Sequence, residues 1–135
     1  MKAEDVSFSE LEIRVEGKGN KTRDIPIMRS LANELRLHLG DRDTGYVFVS
    51  RQGGHYTSRR IQQIVREFAE IAGIKKNVYP HLLRHTIAQH LADQGMPENL
   101  LQKFLGHDDP STTQVYYEPR KTQVKEAFSE AMGER

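Results

Sequence analysis

Residues 80–95, PHLLRHTIAQHLADQG, decide how this chain is read. Pro80 suits the first turn of a helix, where no N–H is needed, and Gly95 suits the position just past its end. Between them, His81, Arg84 and His85 crowd the first turn and a half, where the helix dipole already disfavours positive charge. On a wheel of ~100° per residue with His81 at zero, Arg84 falls near ~300° and His85 near ~40°, on one face. Leu91 near ~280° and Ala88 near ~340° put Arg84 alongside the apolar stripe, with Thr86, Gln89 and Asp93 on the wet side. Arg84 is therefore expected to be half-buried, and a buried guanidinium needs an anionic partner.

Three readings of this cluster compete. An internal carboxylate is the plainest. A metal is suggested by the His81/His85 spacing, but Arg84 between them repels a dication, the motif holds no carboxylate, and the chain has no cysteine. A phosphate uses more of what is present, because the helix N-terminus offers N–H groups and Arg84 a bidentate fork.

Outward from this helix stand residues of matching chemistry. His107 lies just past a helix end and Tyr116 just inside the next short helix. Lys18 sits on the tip of a hairpin. Arginine, histidines, lysine and tyrosine suit phosphoryl transfer without a metal. Arginine holds the non-bridging oxygens, tyrosine attacks phosphorus, and lysine or histidine exchanges protons. Composition alone does not establish this, and Tyr117 and Lys21 compete with Tyr116 and Lys18.

The remaining pattern predicts an α+β fold, a small antiparallel β-sheet packed on a mostly helical body. Phe8, Leu11, Ile13 and Val15 follow a period near two, predicting a strand through FSELEIRVEG, with TRDIPI as its hairpin partner across GKGNK. YVFVS, residues 46–50, predicts a further short strand. Leu31, Leu35 and Leu39 mark a helix ending at Gly40. Ser58 is the expected cap of a helix carrying Ile61, Ile64, Val65, Phe68 and Ile71 to Gly73. Leu100, Leu101, Phe104 and Leu105 follow Pro97 and stop at Gly106. Ser111 and Gln114 match a capping box for a turn of helix carrying Tyr116 and Tyr117, and Val124, Ala127, Phe128 and Ala131 stripe a terminal helix.

At 135 residues the chain is most simply one domain, with no repeat or convincing linker. Charged residues make up 29% and mean hydropathy is −0.70, the profile of a soluble protein. No apolar run approaches the roughly 20 residues that span a bilayer, and no signal-peptide pattern opens the chain, so a cytoplasmic home is expected. The net charge is only +1, but it is unevenly placed. Residues 1–16 set Lys2 and Arg14 against five carboxylates, whereas residues 51–85 hold seven Lys or Arg against Glu67 and Glu70. Such a basic segment suits nucleic acid as well as it suits a solvated helix surface.

Taken together, these motifs resemble the catalytic domain of the tyrosine recombinases, the phage-integrase and Xer-type enzymes. HLLRH resembles their His-x-x-Arg box. LGH places His107 23 residues after Arg84, and STTQVYY places Tyr116 nine residues after His107. GKGNKTRDIPI is similar to the hairpin that bears the family's lysine, at Lys18 here. The resemblance implies that Tyr116 attacks a DNA phosphate to form a 3′-phosphotyrosyl link and free a 5′-hydroxyl. It implies that Arg84 and His107 bind the phosphate oxygens, His81 aids proton transfer from the tyrosine, and Lys18 protonates the leaving oxygen. It further implies double-stranded DNA as substrate, a tetramer on DNA in the parent protein, and neither metal nor other cofactor. His85 follows the family pattern as a packing or supporting residue.

One departure accompanies the resemblance. The family carries another catalytic arginine just before the first strand, and MKAEDVSFSEL resembles the segment that follows it. Residues 1–135 are thus expected to be a C-terminal catalytic domain without the N-terminal core-binding domain and the first arginine motif. Two readings follow, a site-specific recombinase domain or a non-enzymatic DNA-binding remnant of the same fold.

Overall fold

The alternation in EIRVE builds the middle strand of a three-stranded antiparallel sheet. Strands β1 (Val6–Ser7), β2 (Glu12–Glu16) and β3 (Thr22–Pro26) lie in that order. Register sets Ile13 opposite Val6 on one side and Ile25 on the other, so these three share a face. Arg14 faces Asp24 on the other side, its Nε donating to the carboxylate at 3.0 Å. Both groups are exposed, so this ion pair adds little stability. A single 3-10 turn, Lys18–Asn20, closes the β2–β3 hairpin.

The computed structural model describes residues 1–106 and 111–134, the side chain of Ser111 excepted. They divide into two compact units, Met1–Leu82 and Leu83–Arg135. In the first, helix α1 (Arg29–Leu39) turns Leu35 and Leu39 onto Ala3, Val6 and Val47, with Phe8, Ile13 and Ile27 packed around them. Helix α2 (Ser58–Ile71) follows.

Four expectations are corrected in this unit. The strand predicted from Phe8 begins at Glu12, because residues 8–11 turn the chain and Leu11 sits at φ +56. Phe8 instead lies beneath the Arg36 guanidinium, 3.9 Å from its ring centre. The sheet's third strand is β1, not residues 46–50. Tyr46 and Val49 form only isolated bridges to Lys2 and His55, since no strand edge runs beside them, although Val47 is wholly buried and its carbonyl lies 2.7 Å from His38 Nε2. Thr57, not Ser58, caps α2, its hydroxyl accepting from the Arg60 N–H at 3.2 Å. The apolar stripe of α2 is largely presented to solvent at Phe68 and Ile71, and Ala69 is its buried residue.

Helix α3 (Pro80–Asp93) begins at the end of the first unit and continues into the second. It ends before Gly95, at φ +92. Helix α4 (Glu98–Leu105) stops at Gly106, which takes the left-handed conformation expected of a glycine there. Helix α5 (Ser111–Gln114) is a single turn, and α6 (Lys121–Ala131) closes the described chain. Ala88, Leu101, Leu105 and Tyr116 form the second unit's core, joined by Leu91, Met96, Phe104 and Tyr117. Burying Leu101 and Leu105 contributes about 1.5–3 kcal/mol each.

The small sheet and the run of helices bear out the α+β expectation. Among the described residues, no helix is long and apolar enough to cross a membrane. Tyr116 and Tyr117 lie in the turn after α5 rather than inside it. The expected capping box of Ser111 lies outside the described side chains.

Candidate active site

Arg84 is half-buried on α3, as its place beside the apolar stripe predicts. Its Nη2 donates to the carbonyl of Leu105, in the last turn of α4. That carbonyl is one of the acceptors a helix leaves without an internal partner, at the end where the dipole is negative. Part of the guanidinium's demand is therefore met by a helix end rather than by a carboxylate.

Tyr116 is held at two points by α3. Its main chain is fixed by a turn in which the Tyr116 N–H donates to the Thr113 carbonyl at 3.1 Å. Its own carbonyl accepts from Gln89 Nε2 at 3.0 Å, and its hydroxyl is hydrogen-bonded to His85 Nδ1. The two rings meet at a tilt of 44°, with centres 5.9 Å apart. Tyr116 is only 8% exposed. Burial pushes its phenol above the ordinary value of 10, and the nearby positive charge of Arg84 opposes that rise.

Gln89 corrects the wheel, whereas Asp93 is exposed as expected. Gln89 is half-buried against Tyr116 and also donates to Asp93 at 2.9 Å. Asp93 in turn pairs with Arg120 at 3.0 Å. The face carrying these groups turns toward the segment after α5, because Ala88, flanking it, is the residue of α3 buried in the core. His85, Gln89, Asp93 and Tyr116 line an open depression of about 530 Å³.

Tyr117, the rival nucleophile, is otherwise engaged: its hydroxyl donates to the Met96 carbonyl at 2.5 Å. Burial and then the negative charge of Glu98 raise its phenol.

Of the five residues singled out from the sequence, Arg84 and Tyr116 stand near enough for the arginine's charge to act on the phenol. His81 stands exposed one turn before Arg84 on α3. Lys18 is exposed on the hairpin tip of the first unit, as the turn chemistry predicts, with Lys21 just beyond it. His107 lies outside the described residues. His85 was read as support and proves to touch the tyrosine hydroxyl; its place beside Arg84 on the wheel was the available signal. Gln89 gave none.

Residues 1–123 match the phage integrase family, and the chain belongs to that family. Tyrosine recombinase XerC of Oceanobacillus iheyensis is 35% identical to it over 138 residues, which cover 95% of this chain and 45% of the relative. The crystal structure of XerA recombinase superposes with a TM-score of 0.81 at 31% identity, covering 97% of this chain and 50% of that one. XerH site-specific recombinase, solved with its difH substrate as a pre-cleavage complex, gives a TM-score of 0.72 at 26% identity, covering 96% and 40%. The chain thus spans about half the length of the curated relatives it matches.

Proposed function

We propose that residues 1–135 form the catalytic part of a tyrosine-type site-specific recombinase that cleaves and rejoins double-stranded DNA. The observation that carries this reading is the pairing of a buried tyrosine with an arginine whose charge reaches it, in the motifs of a recombinase family. The relatives named above are recombinases, and XerH is a site-specific recombinase solved bound to its difH substrate.

In this reading the Tyr116 oxygen attacks phosphorus, and the bond to the 5′-oxygen breaks. Arg84 and His107 stabilise the charge that gathers on the non-bridging oxygens, and Lys18 supplies a proton to the departing 5′-oxygen. His81, at the N-terminal end of α3, aids proton transfer from the tyrosine. The phosphotyrosyl ester keeps the reactivity of the phosphodiester, so a 5′-hydroxyl from a partner strand reverses the step without a nucleotide cofactor or a metal. Exchange between two duplexes calls for several protomers, and the exposed apolar positions of α6 suit self-association into a tetramer on DNA. DNA as substrate also assigns the protein to the cytoplasm.

The test is covalent capture. A duplex carrying a site selected from random DNA, nicked beside the scissile phosphate, should trap the full natural protein as a phosphotyrosyl adduct. Tyr116→Phe should abolish the adduct. An adduct that survives Tyr116→Phe overturns the assignment.

A further inference from the structure

Arg23 is a cation to which the fold offers no counterpart. It stands on β3 opposite Val15, with Ile13 and Gly17 as its diagonal neighbours on the facing segment. Alternation puts it on the face that carries Ile13 and Ile25, whereas Asp24 lies on the other face and pairs with Arg14. Its Nη1 stands 3.6 Å from where a β-carbon on Gly17 would be, beside Lys18 in the chain. Its Nε is shut off from solvent without a hydrogen-bond partner, and Arg23 enters no ion pair among the described residues. Residues 17–23, GKGNKTR, hold Lys18, Lys21 and Arg23 and no carboxylate. A half-buried guanidinium with an unsatisfied donor, on a hairpin that carries two ammonium groups, costs the folded chain stability. Such a departure from full pairing is expected at a binding site, where a ligand completes it.

We propose that Arg23 binds a backbone phosphate of DNA other than the scissile one, and so anchors the hairpin that carries Lys18. The proposal rests on the recombinase reading and adds to it a contact that no step of the chemistry uses, since Arg84 and His107 are assigned to the scissile phosphate. Lys18 and Lys21 are exposed at the tip, and Arg23 is half-buried at its base. The sheet therefore holds the guanidinium while the two ammonium groups stay in water. A planar fork engages two oxygens of one phosphate, which an ammonium cannot do. A duplex presents negative charges at short, regular spacing, so it answers three cations of one hairpin at once, where a lone carboxylate answers one. Contacts of this kind fix the protein on the duplex without reading its sequence.

The experiment measures equilibrium binding of the full natural protein to a duplex carrying its selected site, and to an unrelated duplex, across a range of salt. Arg23→Met keeps an apolar stem opposite Val15 but removes the fork. It should weaken binding to both duplexes about tenfold. The slope of log affinity against log salt should fall by about one unit. Its melting temperature should stay level or rise, because an unsatisfied cation has been removed. Arg23→Lys should keep the salt slope while losing affinity, since the charge stays and the fork goes. Neutral methylphosphonates placed one at a time along the site should reveal a position that weakens wild type to the level of Arg23→Met and costs Arg23→Met nothing further. Unchanged affinity and slope in Arg23→Met, or weakening confined to the selected site, overturns the proposal. A lowered melting temperature with an unchanged slope also overturns it, and assigns Arg23 to a carboxylate of its own chain. The Tyr116 adduct keeps the two readings apart. An adduct in wild type beside an unchanged slope in Arg23→Met removes only the phosphate contact, whereas a wild type that binds no duplex removes the recombinase reading as well.

Discussion

Gln89 donates to the carbonyl oxygen of Tyr116 at 3.0 Å, one helical turn beyond the His85 that meets the same residue's hydroxyl. Tyr116 is thus positioned through its main chain and its side chain by a single helix. Gln89→Leu should remove the main-chain hold, at about 1 kcal/mol of stability, read from urea unfolding. Adduct formation should slow by more than that loss accounts for, while DNA binding stays unchanged.

Tyr116 should titrate above pH 10, because burial outweighs the opposing charge of Arg84. The difference in tyrosinate absorbance between wild type and Tyr116→Phe isolates this group. Its folded value lies above its unfolded one, so its contribution to stability is complete below pH 10 and is lost as pH rises through the folded value. Wild type should therefore lose stability above pH 10 more steeply than Tyr116→Phe. Arg84→Met should move the phenol higher still.

Tyr117→Phe should leave the adduct intact. Losing the hydroxyl that donates to Met96 should lower stability by about 1 kcal/mol, measurable by chemical denaturation. Loss of the adduct in this variant would exchange the roles of the two tyrosines.

Arg84→Lys should be nearly as damaging as Arg84→Ala, each slowing adduct formation on the order of a hundred- to a thousandfold. A lysine ammonium cannot supply the planar fork that reaches the Leu105 carbonyl and, in the proposed mechanism, a phosphate. Recovery to within a fewfold of wild type in Arg84→Lys would reduce the guanidinium to a point charge.

Val124, Phe128 and Met132 on and just after α6 are 56%, 62% and 64% exposed, and no residue of α6 is buried. Among the described residues, these apolar side chains of α6 are open to solvent. In the full natural protein, removing residues 121–135 should impair the pairing of two duplexes more than binding to one. Gel-shift assays with one and two labelled sites measure both.

The helices of the second unit were legible because proline and glycine bracket them. Pro80 opens α3, Gly95 follows its end, and Gly106 stops α4, each by a backbone restriction that acts locally. The hairpin tip at Lys18 was legible for the same reason. Leu11 was not, since leucine carries no signal for a left-handed turn, and the strand was drawn through it. Residues 46–50 have strand-like composition, but whether they find a neighbouring edge depends on tertiary placement. The site divides in the same way. Arg84 and Tyr116 announced themselves by type and spacing, whereas the roles of His85 and Gln89 depend on which side of α3 the turn after α5 meets.

The hairpin that carries Lys18 turns through Gly19 at φ +69 and Asn20 at φ +58, two successive residues in left-handed backbone. A β-carbon on Gly19 would meet nothing within 4 Å, so the constraint there is torsional and not steric crowding. On the role proposed for Lys18, a genetic selection for recombination would score Gly19 and Asn20 as sensitive positions although neither can exchange a proton. What such a screen would detect is the bend that carries Lys18, the residue proposed above as the proton donor.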